Sequence, residues 1–70
     1  MEHKPVQSSN IAEIGYDPEA GTLSVKFKGG GHYHYSNVPQ DKYEQLLKSS
    51  SIGTFLSKHI KNTHKHLKIK

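Results

Sequence analysis

The stretch TLSVKFKGGGHYHYS, residues 22–36, decides the fold. Apolar side chains alternate with polar ones on both sides of its three glycines, and a period of two is typical of a strand with one buried face. Two such runs joined by a glycine-rich turn predict a β-hairpin, because glycine supplies the positive φ that hairpin turns require. The side chains predicted to face the core are Leu23, Val25, Phe27, Tyr33 and Tyr35.

The same three glycines also raise the question of a phosphate-binding loop. A loop of that class needs the pattern G-x-x-x-x-G-K-[ST] between a strand and a helix. Here no lysine follows at that spacing, and the next segment alternates like a strand. The glycines are therefore interpreted as a hairpin turn.

The segments that flank the hairpin predict a further strand before it and two helices after it. Ile14 and Tyr16 are two residues apart, and Ile11 is out of phase with them, which predicts a bulge or bend near Ala12. Downstream, apolar residues recur at helical spacing in two runs that follow Pro39. We therefore predict an α+β fold, in which an antiparallel sheet of three to four strands packs one face on two C-terminal helices.

The chain divides into three parts on this interpretation. Residues 1–7 are polar with a proline and are predicted to be a flexible N-terminal arm. Residues 8–62 carry the strands and helices of one domain. Residues 63–70 form a basic tail that could be frayed or could add a short strand. A chain of 70 residues buries little of its surface, so a homodimer is a further expectation.

The composition limits the classes of function. The chain has no cysteine, which excludes disulfides, thiolate metal sites and a cysteine nucleophile. There is no apolar leader and no membrane-spanning run, so we expect a cytoplasmic protein without membrane contact. Ten lysines face six carboxylates, and the formal net charge is +4. Because arginine is absent, any contact with nucleic acid would depend on long-range charge and not on bidentate reading of bases.

Several short motifs together resemble the KTSC domain, a module named for its occurrence at the C-terminus of some lysyl-tRNA synthetases and also found as a stand-alone protein. The resemblance covers residues 8–62. In chain order the motifs are Ser8-Ser9, IGYD at 14–17, LSVKF at 23–27, Tyr33-x-Tyr35, Val38-Pro39, Tyr43 before Leu46-Leu47, Ser51-x-Gly53-x-Phe55 and Ile60-Lys61. Where the family often has alanine before its Ser-x-Gly element, this chain has Ser49 and Ser50, and Phe55 replaces a common tyrosine. The resemblance implies a compact α+β module and, through the synthetases, contact with RNA.

Positive side chains on the outer face of the predicted sheet make the first candidate site. Lysine and histidine side chains placed together can hold phosphates and stack on bases, although a polar outer face is also what any one-sided sheet shows. We predict a small non-catalytic module that contacts RNA, or an RNA-associated protein, weakly. The predicted nucleic-acid-binding residues are Lys26, Lys28, His32 and His34, with Lys58 and Lys61 on the second helix.

Other functions stay open at the level of sequence. Ser51 and Gly53 open the second helix and are candidates for anion binding, against the simpler interpretation of a helix cap. The pairs His32/His34 and His64/His66 could in principle bind zinc, but no carboxylate is placed to support them, so no metal site and no cofactor are predicted. No arrangement of nucleophile, base and acid is visible, so no catalytic residue is predicted. A protein–protein adaptor that uses the sheet edge or an exposed tyrosine or phenylalanine is the main alternative to RNA binding, and a small anion or metal binder is a second one.

Overall fold

The fold is a five-stranded antiparallel sheet with its helices on one face. The structure, a computed structural model, describes residues 2–69. The strands follow one another in space in the order β1-β2-β3-β4-β5, and every pair of neighbours is antiparallel. The elements are β1 (His3–Pro5), β2 (Ile11–Asp17), β3 (Thr22–Phe27), β4 (His32–Tyr35), α1 (Gln40–Lys48), α2 (Ile52–Phe55), a π-helical segment (Leu56–Ile60) and β5 (His66–Lys68).

The predicted α+β class is confirmed, and the predicted number of strands is too low. The segment predicted as a flexible arm supplies β1, and the basic tail supplies β5, the alternative that the sequence had left open for it. Both additions are three-residue strands at the two edges of the sheet. Pro5 is compatible with β1 because the missing N–H of a proline is tolerated on an edge strand.

β3 and β4 form the predicted hairpin, and β3 is the central strand of the sheet. Val25 lies opposite Tyr33, and Ser24 lies opposite His34. The turn between the strands closes with a hydrogen bond from the Phe27 amide to the Gly31 carbonyl at 2.7 Å. Gly30 has a φ of 107°, a conformation that side chains with a Cβ rarely adopt.

The predicted irregularity near Ala12 is also confirmed. The register between β2 and β3 shifts between Ile11 and Glu13, so one extra residue is accommodated there. The bulge returns Ile11 to the buried face, which explains why its spacing from Ile14 did not fit a regular strand.

The core lies between the inner face of the sheet and the helices. Tyr35 is 2% exposed, and Tyr33 is half-buried against the same cluster, so the predicted inward orientation of both tyrosines is confirmed. The Tyr16 ring stacks on Tyr43 of α1 at a centroid distance of 4.5 Å, and its hydroxyl donates to the Val38 carbonyl at 2.6 Å. The buried apolar residues are Ile11, Ile14, Leu23, Val25, Tyr35, Val38, Leu46, Ile52, Leu56 and Ile60.

The second helix begins after Ser51 and widens into a π-helical turn. Ile52, Leu56 and Ile60 are buried at a spacing of four residues. The amide of Lys61 donates to the Leu56 carbonyl at 2.7 Å, five residues back, which is the hydrogen bond of a π-helix. Lys61 is thus carried to the end of this turn with its side chain exposed.

Candidate functional site

The predicted outer face exists, but a buried serine lies at its centre. Ser24 is 0% exposed, and its Oγ lies 2.8 Å from Nε2 of His3 and 2.7 Å from Nε2 of His32. A hydroxyl has one hydrogen, so Ser24 donates to one ring and accepts from the other. Ser24 alternates with the inward-facing residues of β3 and so lies on the outer face, yet it is not exposed, because β1 brings His3 over it.

Gly15 makes that arrangement possible. It lies opposite both His3 and Ser24 in the register of the sheet. A Cβ at this position would lie 3.0 Å from the His3 ring and 3.0 Å from the Glu2 carbonyl oxygen. A glycine inside a strand often marks such a close approach, and here the missing side chain gives the imidazole a path to the serine.

Histidine and lysine side chains on the outer face interact mainly with one another and with a carboxylate. The His32 ring is edge-on to His3 at 5.7 Å and to His34 at 5.2 Å. Burial lowers the pKa of His3, and the nearby charge of Lys26 lowers it further, so the neutral ring is favoured. Lys26 Nζ lies 3.7 Å from a carboxylate oxygen of Glu13. The charge predicted for this face is partly neutralised within the chain.

The six predicted RNA-binding residues do not form one surface. Lys26, His32 and His34 lie on the outer face, and the exposed Lys28 begins the hairpin turn. Lys58 and Lys61 lie on the helix side of the sheet, where each lines a different pocket. The structure therefore separates the predicted set into two groups.

An aromatic groove lies on the helix side, between the β3–β4 turn and the second helix. We use this name for the pocket of about 440 Å³ whose lining includes Phe27, Tyr33, Tyr35, His66 and Lys61, together with Gly29 and Gly31 of the turn. Its rings meet edge to face: Phe27 and Tyr33 have centroids 5.7 Å apart at 85°, and Tyr33 and His66 have centroids 5.7 Å apart at 62°. The groove thus offers aromatic surface beside an ammonium group.

A polar pocket of about 520 Å³ adjoins the aromatic groove. Hydroxyl and amide side chains dominate its lining, and Lys58 is its cation. The two predicted anion-binding residues, Ser51 and Gly53, both line it. Its lining is Gln7, Ser8, Ser9, Asn10, Ser50, Ser51, Ile52, Gly53, Thr54, Ser57 and Lys58.

Three residues line both pockets and join them: Asn10, Gly53 and Ser57. Among the residues that the structure describes, no carboxylate lines either pocket. Within the same range, the only salt bridge shorter than 4.0 Å joins Lys26 to Glu13. The ammonium groups of Lys58 and Lys61 are therefore available to an external anion. The joined pockets are a positively charged, partly aromatic cleft.

The remaining histidines do not assemble into a metal site. The Nδ1 of His64 lies 3.0 Å from the Ser36 carbonyl oxygen, to which it donates, and its Nε2 then accepts from Lys42 Nζ at 3.1 Å. His66 lies in the aromatic groove, on the opposite face from His32 and His34. In residues 2–69 no three histidine or carboxylate side chains are close enough together to hold a metal ion.

Comparison with known proteins gives the chain its family. The sequence model of the KTSC domain matches residues 7–64. The chain belongs to the KTSC domain family. This KTSC protein also resembles, with a TM-score of 0.94 and 35% identity, the crystal structure of a KTSC domain protein from Yersinia pestis, and the match covers 99% of this chain and 97% of that one. The resemblance seen in the sequence motifs is thereby confirmed.

Two relatives match over most of their length. An uncharacterized protein of Stutzerimonas stutzeri is 36% identical over 64 residues, which are 91% of this chain and 90% of the relative. A protein of Tsukamurella paurometabola is 41% identical over 54 residues, which are 77% of this chain and 81% of the relative. In the described part of this KTSC protein, no helix is long and apolar enough to cross a membrane.

Sequence reasoning missed His3, Gly15 and His66 as residues that shape these surfaces. His3 and His66 lie on short edge strands whose pairing is not visible in a three-residue pattern. Gly15 did carry a signal, because a glycine between Ile14 and Tyr16 is unusual inside a strand. The aromatic groove could not be predicted, since it depends on where the second helix lies against the sheet.

Proposed function

We propose that this KTSC protein is a non-catalytic cytoplasmic module that binds single-stranded RNA weakly. The observation that carries the proposal is the aromatic groove, where Phe27, Tyr33 and His66 lie beside Lys61. Every nucleobase has a π face, so aromatic rings next to positive charge can hold a single strand without reading its sequence.

The composition supports weak and salt-sensitive binding. Stacking of one base on an aromatic side chain contributes about 1–3 kcal/mol, and lysines add long-range attraction to phosphates. The chain has ten lysines and a net charge of +4 but no arginine, the residue best suited to bidentate contacts with bases. We therefore propose little preference for base sequence.

We assign the contact to the groove side of the sheet and not to the outer face. Lys58 and Lys61 have no carboxylate in their pockets within the described residues, whereas Lys26 is beside Glu13. His32 is already bonded to the buried Ser24. In this proposal the outer-face residues, including Lys28 and His34, add only diffuse positive charge.

A binding experiment with a matched strand tests the proposal. The anisotropy of a fluorescent oligouridylate of about twelve nucleotides is measured with the protein, at salt from about 50 mM to about 200 mM. An abasic strand of the same length keeps the phosphates but lacks the rings. We expect the affinity for oligouridylate to fall steeply with salt and to exceed the affinity for the abasic strand at every salt concentration. Equal affinity for both strands, or no dependence on salt, would contradict the proposal.

Exposed apolar residues in β5 and directly after it favour a second candidate, a protein–protein adaptor. Leu67 is 66% exposed and Ile69 is 42% exposed. Leu67 lies opposite His34, on the outer face of an edge strand that has a free side for another strand. Such a contact, including pairing with a second copy of this chain, would be insensitive to salt. Sedimentation equilibrium would detect a homodimer, and Leu67→Lys would then dissociate it.

A further inference from the structure

We propose that the joined pockets bind one nucleotide unit, with its base in the aromatic groove and its phosphate in the polar pocket. The inference rests on the proposed binding of single strands and names the chemical unit that occupies the site. The unit is a nucleoside monophosphate, either free or as part of a strand. Four features of the cleft support the inference: the hydrogen-bond donors of the polar pocket, the absence of carboxylates in the described lining, the aromatic rings of the adjoining groove, and the open junction between the two pockets at Gly53.

The polar pocket presents hydrogen-bond donors to an incoming group. Ser8 Oγ accepts hydrogen bonds from the amides of Asn10 and Ile11, each at 3.2 Å, so its own hydrogen is directed to another acceptor. Ser51 donates to the Thr54 hydroxyl at 2.9 Å, and the Thr54 hydrogen is likewise left to donate. Together with the Lys58 ammonium group, these donors suit a group that has several acceptor oxygens.

The charge of the cleft selects an anion over a cation. A metal ion of the magnesium class requires carboxylates or other oxygen acceptors, and no carboxylate of the described chain lines either pocket. Lys58 is at the polar pocket, and Lys61 is at the aromatic groove. A phosphate is therefore complementary to the polar half, where charge-assisted hydrogen bonds are the stronger ones.

The size and the junction of the cleft favour a ligand that is longer than an inorganic ion. The two pockets measure about 520 Å³ and about 440 Å³, each large enough for part of an organic ligand. Asn10, Gly53 and Ser57 belong to both pockets, so one molecule can contact both. The aromatic half suits a planar ring, and the polar half suits the phosphate attached to it through a sugar.

Gly53 is the position at which this inference is most easily tested. A Cβ there would lie 3.6 Å from Ser8 Oγ, an ordinary contact, and would fill space where the two pockets meet. Alanine also has a higher helix propensity than glycine. Gly53→Ala therefore narrows the junction without a clash and leaves the domain folded.

The experiment compares three small ligands on the intact chain by amide chemical-shift titration: adenosine monophosphate, adenosine and inorganic phosphate. We expect the nucleotide to bind about tenfold more tightly than either of its parts, since only the nucleotide occupies both halves. The nucleotide should change the amide chemical shifts of residues in both pockets. Gly53→Ala and Lys58→Gln should each weaken the nucleotide about fivefold or more, and Lys48→Gln, the same charge change on α1, should leave its affinity unchanged.

The outcomes separate this inference from the proposed function. If oligouridylate binds but the nucleotide binds no better than phosphate, or if Gly53→Ala has no effect on the nucleotide, the inference is overturned and the function stands. If the nucleotide shifts both pockets while oligouridylate does not bind, the site takes a free nucleotide and the proposed RNA binding is overturned. A melting temperature of Gly53→Ala that is equal to or above that of the parent shows that lost affinity comes from the junction and not from unfolding.

Discussion

On the outer face of the sheet, lysine and histidine side chains are engaged by neighbours in the same chain, whereas the lysines of the cleft face no carboxylate in the described structure. Lys26 lies beside Glu13, and His32 shares the Ser24 hydroxyl with His3. Lys61 instead lies near Tyr33 and His66 in the aromatic groove. The comparison teaches that positive charge along a strand does not identify a binding surface until the partners of that charge are known.

The largest expected effect is the loss of an aromatic ring from the groove. Tyr33→Ala removes one stacking surface, so the affinity for oligouridylate should fall by about tenfold, which corresponds to roughly 1–2 kcal/mol. His34→Ala is the matched change at the next residue, which lies on the outer face of the same strand, and it should alter the affinity less than about twofold. Anisotropy at low salt measures both variants.

Tyr33→Phe serves as the control because it keeps the ring and removes only the hydroxyl. Tyr33 also packs on the core, so circular dichroism must show that Tyr33→Ala is still folded. The comparison of the two faces fails if His34→Ala weakens the RNA complex as much as Tyr33→Ala does.

Gly15→Ala should affect stability and not binding. The new Cβ would meet the His3 ring and the Glu2 carbonyl at 3.0 Å, and so would push β1 away from Ser24. Overpacking and a lost hydrogen bond of this kind cost about 1–3 kcal/mol. Urea denaturation measures the change in the free energy of unfolding. Gly29→Ala is the matched control, since no atom lies within 4 Å of a Cβ at that position. Equal stability of the two variants would show that the His3–Ser24 contact contributes nothing.

Acid should weaken the contact between His3 and Ser24 on the outer face. The folded state lowers the pKa of His3 below its ordinary value of 6.5, by burial first and by Lys26 second, while Glu13 opposes them. The His3 ring therefore binds a proton more readily in the unfolded chain than in the folded one. Its contribution to the free energy of unfolding is fully present when the pH is above the ordinary pKa, and it is lost as the pH falls through the folded pKa. Urea midpoints at about pH 5 and about pH 7.5 measure this.

His3→Gln is the comparison for that experiment because glutamine does not titrate. His32 and His34 face the same cluster and stay in both proteins. The stability of the parent should fall more on acidification than that of His3→Gln. An identical pH dependence of stability in the two proteins would show that protonation of His3 does not destabilise the fold.

The smallest expected effect is that of replacing a single lysine on the salt dependence of RNA binding. If Lys61 contacts a phosphate, Lys61→Gln should lower the slope of log affinity against log salt by about one unit. Lys26→Gln makes the same charge change beside Glu13 and should leave the slope nearly unchanged. Salt titrations with oligouridylate measure both slopes. If the slope decreased more in Lys26→Gln than in Lys61→Gln, the RNA would contact the outer face and not the groove side.

The central hairpin could be predicted from sequence because its alternation is local. Leu23 to Tyr35 carry the period of two on both sides of one turn, so the inward tyrosines and the outward histidines follow from the pleat. The bulge near Ala12 was predictable for the same reason, since Ile11 alone was out of phase. The local pattern thus predicted which face of the sheet each side chain of residues 23–27 and 32–35 occupies.

The edge strands and the cleft could not be predicted, because they depend on contacts between distant parts of the chain. His3 reaches Ser24 across 21 positions. The groove forms only where the end of the π-helical turn brings Lys61 into the pocket that Tyr33 lines, and where β5 brings His66 against the Tyr33 ring. The sequence analysis named Ser51, Gly53, Lys58 and Lys61 as candidates, and the tertiary fold brings these four into the lining of the cleft.

The most direct test of the account is a map of amide chemical shifts in the ¹⁵N-labelled protein as oligouridylate is added at low salt. We predict that the largest shifts fall on residues of the cleft, with Tyr33, Gly53 and Lys61 among them, and that Ser24, Lys26 and His34 shift little. Shifts centred on Ser24, Lys26 and His34, with the cleft unchanged, would contradict the assignment of RNA binding to the groove side.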